Sequence, residues 1–466
     1  MNTTMGKTEL EKPNSIDSIP YEILYQIVSL IPLKEAVRTI ILSSSWKHLW
    51  TPLQVHLNLD FDQITSQETS QHMTKIISSF LHTYEKSYQI LNLSFLESES
   101  LHKETLFLNA IKGVEKDLYI SFHEETENLK CFSLSIELPL NNHFSALKTL
   151  HLRSITHMAG SFLPALFSSC WNLETLSLEK CNGLHNIDLK AHDLLHKFEV
   201  LDCENVETVT ISSGPNIKSF VYRGSLVKIV LKDVPKLCDV TLNMNGTSAV
   251  CDYNEYDSEG LLPLLNSLKD VEVLVLSGWL LEWLDTRGIT FDELEFKFDK
   301  LKELSWIHCC INTQMKDSLA SFLSITPSLE SLFIKIDENW STIPCPHFHQ
   351  PWSQVWTGTS VADSNDFQLQ HLKMVNISGL KVEVENQILV SLMDLMLKKA
   401  IAIKKMIVAE VENKLSWKVA KVPQSQLRMI SSSSSRTCYS SKSSLLLSFN
   451  NECCFQLTPV HDNYTS

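Results

Sequence analysis

The chain has 466 residues, of which 44% are hydrophobic, which is enough for one small module followed by one large domain or repeat array. Acidic residues number 54 against 40 basic ones, and the resulting net charge of -14 argues against a nucleic-acid-binding protein, since such proteins carry a basic face. The first 15 residues are polar. No later stretch approaches the roughly 18 uninterrupted apolar residues of a membrane span. We therefore expect no membrane association and a location in the nucleus, the cytoplasm or both.

Three short amphipathic helices are predicted between residues 16 and 53. The first begins at Pro20, whose fixed φ suits the first helical position, and ends before Pro32. Apolar residues recur at helical spacing in all three segments. A module this small, near the limit of roughly 40 residues below which chains rarely fold alone, needs a surface to pack against. That surface is either the domain that follows, which would make the module a helical cap, or another protein.

The residue string of this segment resembles the F-box. The matching string is Ile19-Pro20, Glu22-Ile23-Leu24, Ile27, Leu30-Ile31-Pro32, Lys34, Ala36-Val37-Arg38, Leu42-Ser43 and Trp46-Lys47-His48-Leu49-Trp50. Ser44-Ser45 and Ile19 depart from the usual plant pattern without removing an apolar anchor. The resemblance implies docking on a Skp-type adaptor, and through it a link to a cullin and a RING subunit. The residues that it marks as adaptor-facing or as module core are Ile19, Pro20, Ile23, Leu24, Ile27, Pro32, Val37, Trp46 and Leu49.

From about Gln54 the sequence changes to short strands that alternate with helical segments. QVHLNLDF, QILNLSFL and DLYISF are predicted strands, and the segment from Met73 to Tyr84 is a predicted helix between the first two. This alternation favours a parallel sheet.

A repeat of the pattern L-x-x-L-x-L, characteristic of leucine-rich repeats, begins at Leu147. Its units start at Leu147, Leu173, Leu195, Ile217, Leu237, Val271, Leu301, Leu329 and Leu372. Weaker echoes at Leu184, Val206 and Leu226 lie half a repeat away and predict either a strand or a turn on the opposite side of the solenoid. An ordinary α/β sheet with leucine-rich strands is the alternative, but the number of matches favours stacked repeats with one continuous core.

Strand alternation places the intervening residues on the concave face of such a solenoid. In the early units these residues are polar, namely Thr149, His151, Thr175, Ser177, Lys197 and Glu199. In the later units they become more apolar, which is typical of an interaction site with a polar rim. The predicted contacts for a target protein are Val273, Val275, Ile307 and Phe333. Cover by a loop or by the C-terminal cap is the competing interpretation.

The segment from Leu372 is similar to the FBD-type end of plant F-box and leucine-rich-repeat proteins. It predicts a strand, a polar turn, a helix from Ile388 to Ala400 and a closing strand KKMIV. After Pro423 the sequence is serine-rich and no longer resembles this family. We interpret it either as a disordered tail or as a departure of the gene model, such as a retained intron, from the usual ending. The predicted organisation is therefore a disordered N-terminus (1–15), an F-box (16–53), a repeat solenoid (54–370), an FBD-like cap (371–423) and a tail (424–466).

No catalytic motif is recognised, and neither a cofactor nor a metal site is expected. Cys345, His347 and His349 lie close together but lack a fourth ligand at a recognisable spacing. His308 beside Cys309 is interpreted as packing. The 12 cysteines include no CxxC pair, so they are expected to be small buried groups in a reducing compartment, and no RING domain is present.

These observations predict an α/β protein in which a three-helix F-box precedes an irregular leucine-rich-repeat solenoid with an FBD-like cap. The resemblance implies a non-catalytic, substrate-recognition subunit of an SCF-type ubiquitin ligase from a plant, with an unknown protein target. A repeat scaffold without any coupling to ubiquitin transfer is the alternative from another class.

Overall fold

The structure is a computed structural model. It describes residues 19–30, 42, 55–60, 88–96, 110, 114–123, 133–134, 146–155, 157–245, 258–278, 280–281, 291, 294–337, 367–380, 387–410, 416–421, 439–440, 444–449 and 453–459. The chain divides into two compact units, Met1–His185 and Asn186–Ser466.

The first unit contains two helices and seven strands among its described residues. The helices are α1 (Tyr21–Leu30) and α2 (Phe162–Ser169). The strands are β1 (Val55–Asp60), β2 (Tyr88–Leu96), β3 (Val114–His123), β4 (Ser133–Leu134), β5 (Thr149–Arg153), β6 (His157–Met158) and β7 (Thr175–Glu179).

Five strands of the first unit form one parallel ladder in the order β1, β2, β3, β5, β7. The short strands β4 and β6 pair separately, also in parallel. The three strands predicted in the early part of the chain are thus confirmed as β1, β2 and β3. α1 begins one residue after Pro20, whose carbonyl accepts hydrogen bonds from the amides of Ile23 and Leu24. The other two predicted N-terminal helices and the helix predicted at Met73–Tyr84 lie outside the described residues.

The second unit contains three described helices and fifteen described strands. The helices are α3 (Ser258–Ser267), α4 (Thr313–Leu323) and α5 (Gln387–Lys399). The strands are β8 (Asn186–Lys190), β9 (Lys197–Leu201), β10 (Thr208–Ser213), β11 (Ser219–Ser225), β12 (Lys228–Leu231), β13 (Asp239–Asn245), β14 (Val273–Ser277), β15 (Glu303–His308), β16 (Ser331–Ile336), β17 (Met374–Leu380), β18 (Lys405–Glu410), β19 (Ser416–Lys421), β20 (Tyr439–Ser440), β21 (Ser444–Phe449) and β22 (Cys453–Pro459).

A long parallel ladder runs through the second unit in the order β9, β11, β13, β14, β15, β16, β17, β18. Each strand from β9 to β17 belongs to one repeat unit, and the pairing register is continuous from β9 to β17. It shifts between Ile377 and Leu380, where β17 pairs with β18. A separate parallel sheet of β8, β10 and β12 comes from the half-repeat echoes, so of the two predicted alternatives, strand and turn, these segments form strands.

The core of both units consists of the apolar positions of the repeat. Each unit of L-x-x-L-x-L buries its three leading residues, as Leu301, Leu304 and Trp306 illustrate with 0% exposure each. Because one such row cannot be buried by its own strand, stacking of neighbouring repeats is what removes it from water. The core residues of the other repeats that carry L-x-x-L-x-L behave in the same way.

A cysteine thiol contacts a backbone carbonyl oxygen beside a repeat strand in several units. The Sγ atoms of Cys181, Cys203 and Cys238 lie 3.4 to 3.6 Å from backbone carbonyl oxygens of Glu179, Leu201 and Lys218, respectively. A thiol is a weak donor, and it adds to the backbone hydrogen bonds that the Glu179 and Lys218 carbonyls already accept. These cysteines are therefore structural, as the sequence predicted for cysteines in general.

The predicted C-terminal cap has the expected order of strand, helix and strand, in β17, α5 and β18. β17 and β18 continue the parallel ladder of the repeats, so the segment adds two strands to it before the pairing changes from parallel to antiparallel. The change occurs at β19, which pairs with β18 in the antiparallel direction.

The structure differs from the prediction of a disordered tail after residue 423. β22 pairs antiparallel with β19, and β21 pairs with β22. The serine-rich sequence contains a short apolar run, Leu445 to Leu447, inside β21. In the register of the β21–β22 pair, Leu445 lies opposite Leu457 and Leu447 lies opposite Phe455, and cross-strand apolar pairs of this kind stabilise a sheet. The overall composition concealed this run. No helix among the described residues is long and apolar enough to cross a membrane.

Candidate binding face

The outward face of the long ladder carries one residue from the centre of each strand, and these residues form a continuous row. Each member is the register partner of the next. We call this set the middle row; it consists of Glu199, Val221, Thr241, Val275, Ser305, Phe333, Asn376 and Ile407. After Glu199 the row contains no charged residue.

Two of the predicted contact residues, Val275 and Phe333, lie in the middle row with Ser305 between them. Both are half-buried. Neighbouring strands are about 4.8 Å apart, so the two side chains are on the order of 10 Å from each other, with a small hydroxyl residue between them. They form two apolar positions on either side of a shallow gap.

The other two predicted contacts are placed differently. Val273 belongs to the adjacent row, where its register partners are Asp239 and Glu303. Ile307 is only 8% exposed, although it follows the outward alternation of its strand. Its carbonyl accepts a hydrogen bond of 2.9 Å from the Gly278 amide. Ile307 therefore offers a partner much less surface than Val275 or Phe333, whose role as contacts stays a prediction.

Charged side chains flank the middle row on both sides. On one side the adjacent row includes Asp239, Glu303 and Lys405. On the other side it includes Arg223 and Lys335, the latter exposed. An uncharged row with a rim of mixed charge is the arrangement expected for a protein interaction site.

A ladder of ion pairs follows the edge where the strands begin. Lys302 Nζ lies 2.7 Å from Glu272 Oε2, and Lys373 Nζ lies 2.6 Å from Glu330 Oε2. The hydrogen bond that Lys373 donates to Glu330 holds the pKa of Glu330 below its ordinary value, and the hydrogen bond that Lys302 donates to Glu272 raises the pKa of Lys302. Because all four side chains are exposed, these pairs contribute little to stability, but they fix the charges on this edge.

Sequence reasoning missed four members of the middle row, Val221, Thr241, Asn376 and Ile407. Val221 lies in a unit that departs from the leucine pattern, and Ile407 was assigned to the cap, so neither was read as part of a row. Asn376 presents a buried carboxamide oxygen that has no hydrogen-bond partner among the described residues. The register of the strands was the missing information, because sequence separation between units varies.

The outward face of the first unit is polar, as predicted for the early repeats. Tyr119 and His151 are neighbours on β3 and β5, with ring centroids 5.9 Å apart. His151 Nε2 lies 3.4 Å from Glu179 Oε2, and burial raises the pKa of Tyr119. Ser177, predicted to lie on a solvated surface, is instead only 2% exposed.

The burial of residues in α1 distinguishes those that pack in the core of the module from those that are exposed, which the sequence alone could not do. Leu24 is buried at 1% exposure, whereas Ile23 and Ile27 are 46% and 39% exposed. Pro20 is exposed, and Ile19 is half-buried. The remaining predicted adaptor contacts, Pro32, Val37, Trp46 and Leu49, lie outside the described residues, as do Cys345, His347 and His349.

Parallel strands that each carry L-x-x-L-x-L, kept in register and interrupted by helices, define a leucine-rich-repeat protein. Residues 128–451 match the family described as At1g61320/AtMIF1, LRR domain. The chain therefore belongs to this family of repeat domains, within the plant F-box/leucine-rich-repeat proteins.

Relatives from Arabidopsis thaliana resemble the chain over most of its length. F-box/LRR-repeat protein At3g18150 is 27% identical over 419 residues, which are 85% of this chain and 87% of the relative. F-box/FBD/LRR-repeat protein At5g56810 is 22% identical over 409 residues, 81% of this chain and 87% of the relative. F-box/FBD/LRR-repeat protein At1g13570 is 23% identical over 404 residues, with 80% and 87% covered. Their names support an F-box protein of the substrate-receptor type.

Proposed function

We propose that this protein is the substrate-recognition subunit of an SCF-type ubiquitin ligase. In this proposal the N-terminal module binds a Skp-type adaptor, which links it to a cullin and a RING subunit, and the repeats bind a target protein. The protein itself performs no chemistry. It acts by holding the target near the ubiquitin-transferring subunits, which raises the effective concentration of the reacting groups.

The observation that carries the proposal is the exposed pair Ile23 and Ile27 on α1. The two residues are four apart, so they lie on one face of the helix, one turn from each other. Both keep more than a third of their surface exposed, while Leu24 between them is buried. Large aliphatic residues gain on the order of 1 kcal/mol or more when such exposed surface is buried against a partner. A docking face for an adaptor requires a pair of this kind.

The middle row supports the second half of the proposal. From Val221 to Ile407 it presents alternating apolar and small polar side chains without a charge, and charged residues lie on both sides of it. A target could therefore bury apolar surface on the row and form ion pairs at its rim, which would give orientation as well as affinity. Val275 and Phe333 are the proposed anchors.

The experiment measures binding of the purified full chain to a purified Skp-type adaptor by biolayer interferometry. We expect the wild type to bind and Ile23→Asp/Ile27→Asp to lose at least about 100-fold in affinity, since two apolar contacts are replaced by buried charges. Gln26→Asp adds a charge on the adjoining face of the same helix and serves as the matched control. It should stay within about threefold of the wild type.

Two results would contradict the proposal. If the folded wild type did not bind the adaptor, a repeat scaffold without ubiquitin-ligase coupling would be the better description. If Ile23→Asp/Ile27→Asp bound as well as Gln26→Asp, the adaptor would dock elsewhere than on α1. Circular dichroism of each variant distinguishes loss of binding from loss of the fold. A location in the nucleus, the cytoplasm or both is part of the proposal and is checked by imaging a tagged chain.

A further inference from the structure

The segment after β15 brings three metal-binding side chains together at a fixed strand end. His308 is the last residue of β15 and is 3% exposed, while Cys309 and Cys310 are half-buried. The His308 carbonyl accepts a hydrogen bond of 2.9 Å from the Asp337 amide, and His308 pairs in register with Ile336. The backbone of the site is therefore held by the neighbouring strand.

The ligand atoms of these three residues lie close to one another. Cys309 Sγ is 3.8 Å from Cys310 Sγ and 3.8 Å from His308 Nδ1, and all three groups fall within 4.8 Å of each other. Zinc bonds of about 2.3 Å to sulfur and 2.0 to 2.1 Å to nitrogen, at tetrahedral angles, place two sulfurs about 3.8 Å apart and a sulfur and a nitrogen about 3.6 Å apart. The two separations that involve Cys309 Sγ, 3.8 Å each, match these values to within a few tenths of an ångström, and the third pair lies within 4.8 Å.

We propose that His308, Cys309 and Cys310 form a binding site for a thiophilic d¹⁰ ion, Zn²⁺ or Cu⁺. Two thiolates and one imidazole are the donor set that such ions prefer over carboxylate or carbonyl ligands. Cu⁺ would take the three ligands in a trigonal arrangement. Zn²⁺ would add a water molecule as its fourth ligand.

Asn312 supports the negative charge that the site would carry. Its Oδ1 accepts a hydrogen bond of 2.6 Å from the Met315 amide as the N-cap of α4, which fixes the orientation of the carboxamide. The Nδ2 group on its other side is 3.5 Å from Cys310 Sγ and donates to it. The amino-terminal end of α4 also favours a nearby negative charge. Outer contacts of this type orient metal ligands and tune the metal.

His308 has to supply a lone pair for the ion. Its Nδ1 lies 2.7 Å from the Cys310 carbonyl oxygen and 3.2 Å from the Cys310 amide nitrogen. The shorter contact fits the tautomer with the proton on Nδ1, which donates to the Cys310 carbonyl. Ion binding at Nδ1 requires the tautomer with the proton on Nε2, so the ion takes the place of this proton and the hydrogen bond to the carbonyl is lost.

Two other described cysteines of the second unit provide a matched comparison. Cys203 and Cys238 direct their Sγ atoms at backbone carbonyl oxygens of the repeat turns, at 3.6 and 3.5 Å. Like Cys309 and Cys310, they follow repeat strands or begin them, but they do not bring two sulfurs together. Cys203→Ser/Cys238→Ser therefore removes the same number of thiols without touching the proposed site.

The experiment titrates the full chain with Zn²⁺, and in a second arm with Cu⁺, without oxygen and in competition with a chromophoric chelator. The chain is first stripped of metal and kept reduced. We expect the wild type and Cys203→Ser/Cys238→Ser to bind one tight equivalent more than Cys309→Ser/Cys310→Ser. The arm with the tighter equivalent identifies the ion. Co²⁺ in place of Zn²⁺ should give sulfur-to-cobalt charge-transfer absorption that Cys309→Ser/Cys310→Ser loses.

Equal stoichiometry and affinity in the wild type and in Cys309→Ser/Cys310→Ser, with both chains folded by circular dichroism, would overturn the proposal. If the double variant did not fold, His308→Gln provides a second test, since it keeps both thiols. We expect at least a tenfold loss of affinity for that variant, and an unchanged affinity would equally overturn the site.

Discussion

Ile23 and Leu24 are neighbours on α1 but face opposite environments, with exposed fractions of 46% and 1%. An apolar stripe in the sequence therefore contains two kinds of residue, one that packs inside the protein and one that is available to a partner. A substitution that tests docking has to be made at Ile23 or Ile27. A substitution at Leu24 tests stability.

Leu24→Ala should lower the free energy of unfolding of the N-terminal region by about 2 to 5 kcal/mol, because it removes a fully buried side chain and leaves a cavity. Ile23→Ala should change it by less than about 1 kcal/mol, since nearly half of that side chain is in water. Hydrogen exchange of the α1 amides measures both. Equal protection in the two variants would mean that the two residues are not differently buried.

Phe333→Asp should abolish capture of the target protein, because it places a charge in the centre of the uncharged middle row. Lys228→Asp, on the exposed edge of β12, carries a similar new acidic charge and should leave capture unchanged. Proteins that accumulate with the tagged chain when the proteasome is inhibited are quantified for the wild type and both variants. A set of proteins retained by Phe333→Asp would place the target site on another face.

Gly379→Ala should destabilise the second unit by about 3 kcal/mol or more. Gly379 has φ +85, a backbone conformation that residues with a side chain rarely adopt. A Cβ there would clash with the carbonyl oxygen of Ile336, which is part of the backbone of the paired strand β16 and cannot rotate away. Gly260→Ala in α3 is the control. A Cβ meets nothing within 4 Å there, so this change should stabilise slightly, by about 0.5 to 1 kcal/mol. Denaturant unfolding compares them, and equal midpoints would contradict the close approach.

Gly278 and Trp306 should be energetically coupled. A Cβ on Gly278 would lie 2.1 Å from Trp306 Nε1, and the indole is fully buried, with its ring 6.1 Å from that of Phe322. Gly278→Ala should therefore destabilise strongly. Trp306→Phe removes the clashing nitrogen. The loss of unfolding free energy in Gly278→Ala/Trp306→Phe should therefore be smaller than the sum of the losses in the two single variants, by at least about 1 kcal/mol. Additive effects in a double-mutant cycle would contradict this packing.

Because of Cys170, the free energy of unfolding of the first unit should fall as the pH rises above about 9. Burial raises the pKa of its thiol from 9.0 to about 12. Between these values the unfolded chain releases a proton that the folded chain keeps, so the free energy of unfolding falls as pH rises. Cys170→Ala lacks this contribution. The difference in stability between wild type and Cys170→Ala should therefore narrow between pH 9 and pH 11, and a constant difference would be inconsistent with a buried neutral thiol.

The repeat was readable from sequence because its signal is local. Leu301, Leu304 and Trp306 are fixed in spacing by the alternation of a single strand, and the same holds for the other units, so the strands and the core were predicted correctly. The middle row was only partly predicted, because it depends on register between strands separated by loops of variable length. The burial of Ile307 depends on neighbours from other strands, and no local pattern encodes it.

The C-terminal strands were missed for another reason. Serine-rich composition predicts disorder, yet the run from Leu445 to Leu447 lies in β21 and pairs with residues of β22. An average over the composition of the whole segment hides this short apolar run. Likewise, His308, Cys309 and Cys310 are consecutive in sequence, but only the turn into α4 brings their ligand atoms together.

The most direct test of the central claim is the mass of the complex that the full chain forms with a Skp-type adaptor, a cullin and a RING subunit, measured by size-exclusion chromatography with light scattering. The proposal predicts a single peak that contains one copy of each protein for the wild type. For Ile23→Asp/Ile27→Asp it predicts a peak of the chain alone beside the cullin assembly. A wild-type chain that elutes apart from the adaptor, while folded, would contradict the proposed role as a ubiquitin-ligase receptor.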